Sequence, residues 1–74
     1  MTREQLLAAA DQWEAKAAIN EAYMRAMERT TERTHGRLGH LNNPLAYAAH
    51  MKAAADKRKW AADLRAQASE VINV

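Results

Sequence analysis

The chain has 74 residues, and its 49% hydrophobic content includes no Phe and only two Trp and two Tyr. Half of that hydrophobic material is alanine, so one small domain over 1–74 is the most that it can build. There is no cysteine, which excludes a disulfide framework, a thiolate zinc site and a Cys nucleophile, and the net charge of +2 is too small to define a partner by itself.

The first element starts at a capping box. Thr2 followed three positions later by Gln5 offers a hydroxyl to a free backbone N–H and an amide that reaches back. From there the sequence is rich in Ala, Glu, Gln, Arg, Met and Leu, the good helix formers. The pattern predicts helix 1 over about 3–35, with Gly36 as its left-handed stop. Gly, Pro and Asn cluster only in Gly36-Arg37-Leu38-Gly39-His40-Leu41-Asn42-Asn43-Pro44, which predicts a turn over 36–43. Helix 2 follows over about 44–71, with an Asn cap and Pro44 in the first turn, where its missing N–H costs nothing. No strand pattern occurs. The longest apolar runs are far short of the roughly 20 residues of a membrane helix. No charged-then-apolar leader is visible at the N-terminus, so the expectation is a cytoplasmic protein without a membrane partner.

Both helices are amphipathic. In helix 1 the positions 6, 10, 13, 17, 20, 24 and 27 alternate steps of four and three, a heptad rhythm that carries Leu6, Trp13, Met24 and Met27. In helix 2, Ala46, Ala49, Ala53, Trp60, Leu64 and Val71 form one arc. Folding the chain about residue 39 or 40 brings Trp60 near Ile19, and Met24 and Met27 near Ala53. The expected core and dimer contacts are therefore Leu6, Trp13, Ile19, Met24, Met27, Ala53, Trp60, Leu64 and Val71. The fold class is all-α, an antiparallel two-helix hairpin. Two helices share only one interface, and a chain this small is marginal even with a full core. Pairing into a homodimeric four-helix bundle is the simplest remedy. In outline this resembles the dimeric helical hairpins of the ROP type, a likeness of shape alone.

Three features carry candidate chemistry. His35, His40 and His50 bracket the turn, but no carboxylate stands at ligand spacing beside them, so neither a metal nor another cofactor is expected. Charge is uneven along the chain: residues 1–24 carry −2, residues 25–65 carry +5 and residues 66–74 carry −1. Within the basic middle, Arg25, Arg29, Arg33 and Arg37 recur every four residues, and Lys57, Arg58, Lys59 and Arg65 extend the patch if the helices are adjacent. Glu21, Glu28 and Glu32 lie within three or four residues of those arginines and can pair with them. Finally, Asn20, His50 and Lys57 occupy seam positions, where polar residues lower stability and fix register.

An enzyme is not expected. The chain has one Ser, no Cys, and no strand ahead of its glycine pair to form a phosphate loop. The expected function is a regulatory protein–protein interaction module, a homodimer that binds and inhibits another protein. Accessory factors of phage or other mobile elements are one source of such chains. The basic excess, the loop and the off-stripe apolar residues converge at the turn, so the candidate partner-binding residues are Arg29, Arg33, Arg37, Leu38, His40, Leu41, Tyr47 and Met51. The alternative is a nucleic-acid-binding hairpin that uses the basic middle of the chain.

Overall fold

The computed structural model describes residues 1–35 and 44–71, with the backbone alone over 31–35. It contains two α-helices, α1 (Arg3–His35) and α2 (Pro44–Glu70), packed against each other as an antiparallel hairpin. The hairpin is long and thin, 59 × 15 × 13 Å across its Cα atoms. No helix among the described residues is long and apolar enough to cross a membrane.

The start of α1 is the reciprocal capping box. The Thr2 backbone N–H donates to Gln5 Oε1 at 2.8 Å, and the Gln5 backbone N–H donates to Thr2 Oγ1 at 3.1 Å. Two of the donors that a helix start leaves unpaired are thereby satisfied. Helix α2 opens directly on Pro44, whose fixed φ suits the first helical position.

The seam in α1 follows the heptad rhythm of the sequence. Leu6, Ala10, Ala17 and Asn20 are buried, with Trp13, Met24 and Met27 half-buried between and beyond them. In α2 the phase differs from the expected arc. The residues turned inward are Tyr47, His50, Ala54, Lys57, Ala61, Leu64, Ala68 and Val71, of which Ala54, Ala61 and Ala68 are buried and the rest half-buried. The buried alanines recur every seven residues, so the same ridge of α2 meets α1 along its length. Alanines on both sides of the interface let the helices come close, since interaxial distance follows side-chain size at the contact.

Two large residues stand outside that seam. Trp60 and Ile19, expected as core or dimer contacts, are 44% and 58% exposed within the single hairpin. The seam holds one indole, the half-buried Trp13; Trp60 sits on the flank of α2 one position before the buried Ala61, and Ile19 faces outward one position before the buried Asn20. Ala53 is half-buried, one position off the buried Ala54. Five of the six buried apolar residues among those described are alanines, Leu6 being the sixth.

Candidate functional site

At about 100° per residue, the two flanks of the inner seam differ in chemistry. One broad face of the hairpin is a ladder of ion pairs. Arg65 donates to Glu14 Oε1 at 2.6 Å and to Asp11 Oδ1 at 2.9 Å. Seven residues away on each helix, Arg58 pairs with Glu21, its Nε donating to Oε2 at 3.2 Å while its Nη2 bonds Oε1. One step further towards the turn, the Tyr47 hydroxyl donates to Glu28 Oε1 at 2.6 Å. Both Arg–Glu pairs centre the hairpin between residues 39 and 40, where the sequence folds it. Glu21 bonds Arg58 across the helices, and Arg25, which the sequence matched with it, adds a smaller coulombic effect.

These contacts move the titration of their members. The hydrogen bond from Arg65 holds the Glu14 carboxyl below its ordinary value, against a smaller opposing effect of burial. The Arg58 hydrogen bond does the same for Glu21, again against desolvation. Arg58 and Arg65 are raised in turn by their carboxylate partners. The Tyr47 phenol is raised, first because its hydrogen is bonded to Glu28.

The opposite broad face carries little charge. Trp13 and Trp60 meet edge to face, ring centroids 4.8 Å apart and planes at 67°. The Lys16 ammonium lies over the Trp13 ring at 4.8 Å. Tyr23, 56% exposed, stacks on His50 at 5.2 Å. Beyond Tyr23 a shallow apolar groove is lined by Ile19, Ala22, Tyr23 and Ala26. Trp60, Ala53, Ala49 and Ala46 share this side of α2. They belong to the arc that the sequence assigns to the interhelical seam; Leu64 and Val71 of that arc do turn inward, whereas these four lie one flank away.

Between the faces lies a polar layer. Lys57 Nζ donates to Asn20 Oδ1 at 2.5 Å, and Asn20 Nδ2 meets His50 Nδ1 at 2.7 Å. A lysine has donors only, so the Asn20 oxygen must face Lys57 and its NH₂ must face the histidine. His50 Nδ1 is then the acceptor and the ring hydrogen sits on Nε2. The three polar seam residues of the sequence are thus joined in one chain of hydrogen bonds, and Asn20, 9% exposed, is satisfied on both ends.

The partner-binding candidates fall into three groups. Arg29 is exposed, and Met51 is 50% exposed on the flank of α2 beside Arg58. Tyr47 is half-buried and bonded to Glu28, so it serves the hairpin itself. The Arg33 side chain and Arg37, Leu38, His40 and Leu41 lie outside the described residues, as do Gly36 and the side chain of His35. Leu45, 83% exposed near the turn, is a large apolar residue that the sequence reasoning passed over. Its place directly after Pro44, outside the heptad seam, was the available signal. Among the described residues no three His, Cys, Asp or Glu side chains gather as a metal site would require. No family model, curated protein or solved structure matches this chain.

Proposed function

We propose that the protein is a non-enzymatic interaction module, a helical hairpin that pairs with a second copy to complete a four-helix bundle and acts by binding another protein. One observation carries this: the hairpin keeps alanines inside and leaves Trp60, Tyr23 and Ile19 outside. An alanine seam buries little area per residue, and burial of apolar area is the main driving force of folding. The large side chains that could add to it are on the surface, where only a partner can remove them from water.

The described surface favours a protein partner over a nucleic acid. Of the basic residues on α2 that would extend a phosphate-binding patch, Arg58 and Arg65 are engaged with carboxylates of α1 and Lys57 with Asn20. Lys52 is paired with Asp56 at 2.6 Å. Each cation used internally is one fewer to release counterions from a phosphate backbone. A second protein would be engaged on the surface left after pairing, with Leu45, Met51 and Arg29 near the turn as its anchors.

Light scattering after size exclusion, run over a range of concentrations, tests the module. The expected mass is twice that of the chain at micromolar concentration, with melting temperature rising with concentration. A compact, high-melting monomer with a concentration-independent transition would overturn the proposal.

A further inference from the structure

We infer that the face bearing Trp60 and Tyr23 is where the second copy docks, and that the two hairpins lie with their turns at the same end. This rests on the homodimeric module proposed above and assigns its surface and orientation.

Three observations carry it. First, each helix has two adjacent heptad seams. In α1 the inner seam is flanked by the column of Gln12, Lys16, Ile19 and Tyr23, and in α2 by that of Ala49, Ala53, Asp56 and Trp60. A helix of a two-stranded pair needs one apolar seam, whereas a helix in a four-helix bundle needs a second on the neighbouring flank. Second, the area is of the right order: the 33 residues of α1 span about 50 Å, which with 15 Å of width gives about 750 Å², close to the roughly 800 Å² per partner of a standard stable interface. Third, the charges select one orientation.

A two-fold dimer built face to face has two arrangements. With the turns at opposite ends, α1 lies on the partner's α1 and α2 on the partner's α2. Lys16 then faces a column with no carboxylate at any register. With the turns at the same end, α1 lies on the partner's α2. A two-fold axis along the hairpin keeps each residue at its own height, so Lys16 then stands level with the exposed Asp63 at the rim of that column, while Asp56, about 10 Å nearer the turn, keeps its own partner Lys52. At matched heights Ile19 of one copy then stands opposite Trp60 of the other, so two exposed apolar side chains cover each other. Charge matching of this kind contributes chiefly to specificity and orientation. The ion-pair face is left to solvent, its charges already matched within each hairpin.

Paired substitutions on the two faces and a distance measurement test this together. Ala53→Lys should shift the light-scattering mass from dimer to monomer at micromolar concentration, while Ala62→Lys on the ion-pair face leaves it a dimer. Helicity by circular dichroism keeps each variant interpretable. Lys16→Glu and Asp63→Lys should each weaken dimerisation about tenfold, and combining the two should restore it. The chain has no native cysteine, so a nitroxide at Glu4→Cys reports only that site. Turns at the same end hold two such labels within about 30 Å, the diagonal of a bundle of helices 10–12 Å thick. Turns at opposite ends separate them by roughly 45 Å of helix rise. A dimer that survives Ala53→Lys, that stays weak in the combined charge swap, or that shows the longer distance would overturn this inference alone. A chain that is monomeric throughout would overturn the module itself.

Discussion

On the face that carries Glu14 and Arg65, charge crosses repeatedly from one helix to the other; on the face that carries Tyr23 and Trp60, aromatic rings and alanines take its place. The two faces share one backbone and one heptad repeat, so the difference lies wholly in the side chains. The ion pairs hold a register, because Glu14 with Arg65 and Glu21 with Arg58 recur seven residues apart on both helices. Partly exposed pairs of this kind add little stability. The aromatic face has the opposite balance. It holds Trp60, Tyr23 and Ile19 and almost no orienting charge, so what little it has, at Lys16 and at Asp63 on its rim, matters more.

The comparison can be broken most severely between the faces, at the seam that both depend on. Ala61 is fully buried, and a larger side chain there forces the helices apart. Ala61→Leu is expected to destabilise the hairpin by about 1–3 kcal/mol or more, the usual cost of overpacking. For a chain of this size that lowers the melting temperature by roughly 4–8 °C per kcal/mol, read by circular dichroism. A variant that melts at or above the parent temperature would show that the alanine seam is not closely packed.

A smaller effect of opposite sign is expected at Asn20. Its two partners, Lys57 and His50, are both half-buried and can turn to water when the amide is lost. Asn20→Leu therefore gains apolar burial in the seam with little penalty, and the melting temperature should rise by a few degrees, about 1 kcal/mol. The loss is in uniqueness, because a polar residue at a seam position fixes register and oligomeric state. Sedimentation velocity of this variant should show more than one species where the parent shows one. A lower melting temperature with a single species would mean that the polar layer stabilises as well as specifies.

The first helix was legible because its seam contains residues of contrasting size. Leu6, Trp13, Met24 and Met27 mark the phase, and the capping box marks the start. In α2 the signal fails for a physical reason. Ala53 and Ala54, like Ala61 and Ala62, are identical neighbours, so composition does not distinguish the inward alanine from the outward one. Trp60 then acts as a false anchor, since a lone indole draws the arc towards itself, one position off the buried Ala61. The charges held the missing information. Arg58 and Arg65 repeat with the same seven-residue spacing as Glu14 and Glu21, and setting those pairs side by side turns Ala54, Ala61 and Ala68 inward. The polar trio of Asn20, His50 and Lys57 was visible as seam residues, but their mutual bonding needed the corrected phase.

The ion-pair face should yield the smallest and most specific effect, on acidification. Glu14 and Glu21 titrate below their ordinary value of 4.5 because Arg65 and Arg58 hydrogen-bond their charged forms. As pH falls, the unfolded chain therefore takes up protons before the folded one does. The contribution of the pairs is present in full above the ordinary value and is lost as pH drops through the lowered folded values. The share of the melting temperature that these two pairs supply should be constant above their ordinary value and decline from about pH 4.5 downward at low salt. In the double variant Glu14→Gln with Glu21→Gln, that part of the decline should shrink sharply, because Asp11 is the one carboxyl left on the two arginines. Added salt should flatten the parent curve towards that of the variant, since partly exposed pairs are screened. A decline of equal size in both proteins would place the acid sensitivity elsewhere in the hairpin, and would leave the ladder as an orienting device with no part in the pH response.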